Sequence, residues 1–263
     1  MIFILGGRGL VGSGFARYCE RTGKPFKVIH RENYASWAGH SCDLLINANG
    51  NSSKILARRD PKQDFEASVS SVRTSLEDFR YKRYVHVSSC DVYPDCSSPE
   101  VTREVRPLDS ALQTPYGFHK WLAEQCVQHA ADDWLILRFG GFIGPGLKKN
   151  AIYDILQGGP LFLDPNSELQ FLHTDRAAEI VFRLIEQGIQ REIFNLCGRG
   201  LIRLQDVIDL SGKAVLVNPG STAVRYEASI EKVSAVVEIP ETRSAVFDFV
   251  NSALQDIEAA PKQ

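Results

Sequence analysis

The chain has 263 residues, 44% of them hydrophobic and 24% charged, with a formal net charge of -2. That length allows one large domain, or a main domain with a smaller lobe, and the balance excludes disordered and fibrous classes. Acidic and basic residues are interspersed without a run of like charge, which excludes the electrostatic footprint of a nucleic-acid or membrane-surface binder and leaves any phosphate recognition to local geometry.

The N-terminus enters the apolar run Ile2–Leu5 directly, too short for a signal-peptide core or a membrane span, so the expected location is the cytoplasm. Further short apolar runs follow at Phe26–Ile29, 43–47, 84–87, 134–137 and 192–195, with helical patterns over 10–22, 65–80, 115–130 and 175–188. Runs of this length separated by helices predict an α/β fold, a doubly wound parallel sheet of the Rossmann type. Only about a dozen residues separate the second and third runs, which leaves room for a very short helix or none. After Gly140 turn chemistry dominates, as in Gly158 to Pro160, Asp164 to Asn166 and Asn218 to Gly220. The expected division is a dinucleotide-binding domain of residues 1–140 plus 173–197, and a small substrate-binding lobe of 141–172 plus 198–263. The six cysteines, Cys19, Cys42, Cys90, Cys96, Cys126 and Cys197, form no C-x-x-C, and no histidine pair has zinc spacing. A reduced protein without a structural metal is expected.

Gly6, Gly7, Gly9 and Gly12 lie between the first strand and the first helix. Glycines there let the backbone turn sharply and approach a pyrophosphate, with the helix N-terminus at Leu10 and Val11 offering free N–H groups. The spacing is G-x-x-G-x-x-G, and the same turn also suits a plain strand-to-helix connection. Cofactor choice is read after the second strand, where an acid favours NAD. Here the strand ends in His30 and Arg31, with Glu32 one place late and Arg8 inside the glycine turn. Two guanidinium groups suit a 2′-phosphate, so NADP is preferred, with NAD the alternative and two solvated surface arginines the plain reading.

Among the tyrosines only Tyr116 has a lysine four residues on, Lys120, and that spacing puts both on one helix face. The ammonium is expected to lower the tyrosine pKa and ready it for proton exchange with a substrate hydroxyl or carbonyl. Ser88 and Ser89 end the fourth strand at the sheet's carboxyl edge, where a serine hydrogen-bonds a substrate oxygen or merely caps the strand.

With these residues in place the sequence resembles an extended short-chain dehydrogenase/reductase of the NAD-dependent epimerase/dehydratase family, whose members mostly act on nucleotide sugars. The likeness runs in order through the glycine turn, DLLINANGNSS, VHVSSCDVYP, TPYGFHKWLAE, LILRFGGFIGPG, FLHTDRAAEIV and EIFNLCGRG. It implies Ser89 rather than Ser88 as the active-site hydroxyl, Tyr116 and Lys120 as the acid/base pair, and Lys120 as the group holding the nicotinamide ribose. It further implies that Asn49 and Gly50 line the cofactor cleft and that Phe139 to Gly141 lie by the nicotinamide, where Phe-Gly-Gly replaces the family's frequent Pro-x-Asn. Relatives often dimerise through two helices beside the sheet, so a homodimer is among the partners the resemblance implies.

Family dehydratases follow the active-site hydroxyl with Asp-Glu, whereas this chain has Cys90-Asp91, which argues against a 4,6-dehydratase. In the similar GDP-fucose synthase branch a functional cysteine lies two places after the serine. Asp91 occupies that place here, as an extra acid/base or as a turn-capping aspartate. Without a second acid/base pair the simplest chemistry is hydride transfer at one carbon. Reduction of a keto sugar with NADPH is the leading expectation; an epimerase holding NAD(H), and a non-catalytic regulatory or scaffold protein, are the alternatives. Lys148, Lys149, Asn150, Arg176 and Arg225 are the candidates for a substrate diphosphate, and Lys148-Lys149 also reads as a solvated surface pair.

Overall fold

A computed structural model describes residues 1–259, with side chains through Asp256. Six strands, β1 (Ile2–Leu5), β2 (Phe26–Ile29), β3 (Ser41–Asn47), β4 (Arg80–Ser89), β5 (Trp134–Phe139) and β9 (Glu192–Leu196), form one parallel sheet in the order β2-β1-β3-β4-β5-β9. The chain winds one way from β1 to β2 and the other way from β3 onward. The switch point therefore lies between β1 and β3, where the carboxyl ends of the strands leave a crevice for a ligand.

One face of the sheet is covered by α1 (Leu10–Thr22) and α8 (Thr174–Glu186), and here Phe15, Ile46, Leu135, Val181 and Leu196 are buried. Gly14 makes the close approach of these helices possible: a Cβ there would stand 2.6 Å from the Thr174 carbonyl oxygen. The opposite face carries α2 (Tyr34–Trp37), α5 (Ser71–Asp78) and α6 (Pro115–Ala130) over Phe3, Leu45, Tyr84 and Ile136. The crossover between β2 and β3 is indeed trimmed, to the four residues of α2.

Two departures from the sequence pattern matter for the site. Residues 54–65, which show no helical apolar spacing, form α3 (Lys54–Arg59) and α4 (Pro61–Phe65), each started by a side chain: Ser53 accepts from the Leu56 N–H, and Asp60 from the Gln63 N–H, with Pro61 at the first position. The expected helix over 65–80 is divided, because a π-helical turn at Glu66–Ser70 precedes α5, and Phe79 is already extended. Such turns are rare and concentrate at functional sites.

Short strands β6 (Gly141–Ile143) and β8 (Phe171–His173) pair in parallel, and β7 (Glu168–Leu169) lies between β10 (Ile202–Arg203) and β11 (Arg225–Tyr226). With α7 (Ala151–Gln157), α9 (Leu204–Ser211) and α11 (Thr242–Ala259) they enclose a separate apolar cluster that includes Ile152, Leu161, Phe171, Leu204, Val246 and Val250. α10 (Glu231–Ser234) packs instead at β9, with Val233, Val237 and Ile239 in the core of the main sheet. Among the described residues no helix is long and apolar enough to cross a membrane.

Candidate active site

A cavity of about 650 Å³ opens at the carboxyl ends of β1, β3, β4 and β5. At one end it is lined by the backbone of Gly9, Leu10 and Val11, and α1 starts there without a side-chain cap or an acid in its first turn. Its first N–H groups are thus available to an anion. Gly6 has φ +73° and a Cβ on it would stand 2.8 Å from the Ala48 carbonyl oxygen; a Cβ on Gly12 would strike the Gly6 backbone. Gly50 (φ +128°) closes the opposite wall beside the exposed Asn49. This cradle of backbone, with the uncapped N–H groups of α1 facing it, fits the phosphates of a dinucleotide.

The reacting end is built from side chains. The Thr114 hydroxyl accepts from the Gly117 N–H and Pro115 occupies the first turn, so α6 begins at the sheet edge and carries Tyr116 and Lys120 into the cavity. Gly117 lets α6 lie against the turn after β4, since a Cβ there would collide with the Asp91 carbonyl. Of the paired serines, Ser88 donates to buried Glu124 at 2.6 Å. Glu124 in turn takes Arg138 on both oxygens, and Arg138 donates to the Tyr93 hydroxyl at 2.9 Å. Ser89 instead borders the cavity beside Tyr116; its hydroxyl donates to Asp91 Oδ2 at 3.1 Å and accepts from the Asp91 N–H.

The electrostatics depart from the expectation for Tyr116. Burial first, then Asp91 and Asp64, push its pKa well up, with the Ser89 hydroxyl opposing, so the hydroxyl keeps its proton. Lys120, whose ammonium stands 5.6 Å from the Tyr116 ring centre, is itself lowered to about 8 by burial, against the pull of Asp64, Asp91 and Glu124. Among the described residues Lys120 makes no hydrogen bond, and a Cβ on Gly50 would lie 3.2 Å from its Nζ. The ammonium therefore meets the glycine wall with its donors free, as a ribose-holding group requires.

Phe139, Gly140 and Gly141 line the same cavity, with Phe139 packed on Phe142 at 4.8 Å. Asn150 lines it too, but its amide is spent: it caps α7 at the Tyr153 N–H and donates to the Phe142 carbonyl. Asp91 lines it and receives Lys54 Nζ at 2.6 Å. Lys149 reaches across to the Ser52 carbonyl and hydroxyl, both at 2.9 Å, while Lys148 points to solvent.

Two substrate candidates lie elsewhere. Arg176 is exposed on α8, bonded to Glu179 and facing a different hollow beside α11. Arg225 is exposed and paired with Glu168 and Glu227; its neighbour Tyr226 lines the cavity in its place. At the second-strand end Arg8 pairs with Glu32 at 3.4 Å, Glu32 also meets the His30 ring, and Arg31 is exposed without an ion pair among the described residues. Sequence reasoning missed Lys54, Asp64 and Tyr226; for the first two, the capping residues Ser53 and Asp60 were the available signal.

The model of the NAD-dependent epimerase/dehydratase family matches residues 2–197, most of the chain. The chain belongs to that family. Solved structures with the fold of this family member include MoeE5 in complex with UDP-glucuronic acid and NAD, at 15% identity and a TM-score of 0.80, with 98% of each chain covered. UDP-glucuronic acid 4-epimerase from Bacillus cereus, in complex with UDP-glucuronic acid and NAD, aligns at 17% identity and 0.78 over 98% of both chains. RMD from Pseudomonas aeruginosa, complexed with NADPH, aligns at 18% and 0.79 over 98% of this chain and 99% of that one. No match is found among curated proteins.

Proposed function

We propose that the protein is an NADP-dependent reductase of a nucleotide-linked keto sugar. The observation that carries this reading is the convergence of Ser89, Tyr116 and Lys120 in one cavity, where burial favours the protonated phenol, the form that gives a proton to a carbonyl oxygen. The backbone of Gly6 to Gly12 would hold the pyrophosphate, Asn49, Gly50 and Phe139 the nicotinamide half, and Lys120 its ribose hydroxyls. A bound reduced nicotinamide would supply a hydride, which carries both electrons and the hydrogen added to carbon. Ser89 turns its one hydroxyl proton from Asp91 Oδ2 to the substrate carbonyl oxygen, fixing it beside the Tyr116 hydroxyl, and Tyr116 delivers the proton as the carbonyl becomes an alcohol. Lys120 steadies the phenolate that remains. Lys149 faces the cavity with no acid bonded to it among the described residues, which suits it to the substrate diphosphate. Arg8 and Arg31 are the groups for a 2′-phosphate, and cytoplasmic location accords with a reduced pyridine nucleotide pool.

A second reading, a nucleotide-sugar epimerase retaining NAD(H), is favoured by Glu32. Its carboxyl is held below the usual range by its own backbone N–H, the His30 ring and Arg8, and a carboxylate there accepts ribose hydroxyls and repels a 2′-phosphate. Incubation with NADPH or NADH and a panel of NDP-4-keto-6-deoxy sugars separates the two. Consumption of NADPH with loss of the keto group, abolished in Tyr116→Phe, is expected; epimer exchange without added cofactor by protein that purifies with NAD would replace the first reading by the second.

A further inference from the structure

Beneath Lys120 lies a carboxylate that the proposed chemistry does not use. Asp64, at the junction of α4 and the π-helical turn, is wholly buried. Its Oδ2 lies 2.7 Å from the ring Nδ1 of His119, which, facing a carboxylate, is the donor. Its Oδ1 accepts from the Asn51 amide at 2.8 Å and the Ser68 hydroxyl at 3.1 Å. Each donor belongs to a different part of the site. His119 precedes Lys120 on α6, Asn51 belongs to the cavity wall that continues from Gly50, and Ser68 lies in the π turn, where its hydroxyl also takes the Asn51 N–H at 3.3 Å. Asn51 passes the order on by donating to the Ser53 carbonyl and accepting from the Ser53 N–H at the start of α3.

A buried carboxylate costs several kcal/mol of lost hydration unless donors and a counter-charge compensate it, so a site with no role for it would do better with an apolar residue. Here three donors converge on it and a cation lies close by. We propose that Asp64 is a positioning residue, holding the Lys120 segment of α6 and the Asn49 to Ser53 wall in one register and keeping the Lys120 ammonium charged towards the bound dinucleotide. The inference rests on the reading that Lys120 holds the nicotinamide ribose. The charged and titratable groups around Lys120 are Tyr116 and Glu124 on α6, His86 on β4, Asp91 in the turn after β4, and Asp64. Of these, Asp64 leads the groups that resist the downward pressure of burial.

The test measures NADPH and NADH affinity of the full chain by fluorescence titration across pH, which requires no substrate. Affinity is expected to fall as the pH rises through about 8, and Lys120→Met is expected to flatten that dependence. Asp64→Asn should move the midpoint down by about one pH unit or more, the usual effect of removing a nearby opposite charge, while Asp64→Glu restores it. An Asp64→Asn curve that overlies wild type, with Lys120→Met flat, overturns the inference and leaves the ribose reading standing; a Lys120→Met curve that keeps the wild-type midpoint overturns both. Should Asp64→Asn not fold, the His119 pair decides. His119→Leu, which strips a donor from the carboxylate and strengthens its pull on the ammonium, should raise the midpoint, whereas His119→Gln keeps a donor and should not; two curves superposed on wild type overturn the inference.

Discussion

The two ends of the cavity are made of different material. The phosphate end is backbone: glycines between β1 and α1 and an uncapped helix start, with nothing charged among Gly9, Leu10 and Val11. The reacting end is side chain: Ser89, Asp91, Tyr116 and Lys120, with Asp64, Glu124 and Arg138 buried behind them. A backbone site needs only the absence of Cβ atoms and is stable by itself. A site of buried charges is held by bonds between distant segments, and each charge left unpaired is a cost.

The difference is largest for the residue that exchanges the proton. Tyr116→Phe keeps the ring and its packing while removing the group that burial keeps protonated, so kcat is expected to fall by about 10²–10⁴ with NAD(P)H affinity nearly unchanged. Steady-state assays beside cofactor titration check this; equal losses in both would place Tyr116 in binding rather than in proton transfer.

Next comes the support beneath the site. Arg138 bonds Glu124 through Nε and Nη2, the latter at 2.7 Å, and both are almost wholly buried. Arg138→Leu leaves the Glu124 carboxylate without its partner and should cost about 3–5 kcal/mol, whereas replacing both residues together should cost far less. Urea unfolding of the single and double variants decides, since additive losses would deny the coupling.

Lys120 shows the opposite sign. Its folded-state pKa of about 8 lies below the ordinary 10.5, so the unfolded chain binds the proton more tightly and the protonated lysine works against folding. Stability from this group is lowest below about pH 8 and is regained as the pH climbs towards 10.5. Lys120→Met should therefore be more stable than wild type at pH 7, by up to about 3 kcal/mol, with the gap closing above pH 10 and activity lost throughout. A variant no more stable than wild type at pH 7 would mean that Asp64, Asp91 and Glu124 already offset the burial.

The same contrast governs what the sequence discloses. The glycine turn, the alternation of strands and helices and the Tyr116-x-x-x-Lys120 spacing are local, each written within a dozen residues, and the parallel sheet and the cavity follow from them. Lys54 and Asp64 are not legible in that way. They sit on helices of six and five residues that bury only Ala57 and Asp64, too little to leave an apolar period. Their partners Asp91 and His119 are 37 and 55 residues away. Arg176 and Arg225 failed for a related reason: a basic residue near a motif carries no information on which side of its helix or strand meets the cavity.

Cofactor preference tests the junction of the two ends, because Arg8 is the one charged residue within the glycine turn and is already paired with Glu32. If Arg8 serves a 2′-phosphate, Arg8→Ser should lower NADPH affinity by about tenfold while leaving NADH within twofold, in line with an exposed charge-assisted bond. Glu32→Gln should shift the ratio towards NADPH. An unchanged ratio in both variants would remove this pair from cofactor choice.

The smallest stability change is expected where the backbone end is most economical. Helix α6 begins with the Thr114 hydroxyl on an N–H, whereas α1 begins with Gly9, which leaves its N–H groups to a ligand. Gly9 has φ -76°, open to any residue, and a Cβ there would stand 3.2 Å from the Gly6 oxygen, a contact that a small shift relieves. Gly9→Ser supplies the missing cap, and a serine cap exceeds a glycine one by only a few tenths of a kcal/mol. The variant should thus be marginally more stable without cofactor and yet bind NAD(P)H severalfold more weakly, because the new hydroxyl competes for the N–H groups a phosphate would use. Thermal unfolding with and without NADPH reads both quantities in one experiment. A Gly9→Ser protein that gains stability and keeps its full cofactor-induced shift would show that the phosphates are held elsewhere, and the distinction between a backbone end and a side-chain end would fall with it.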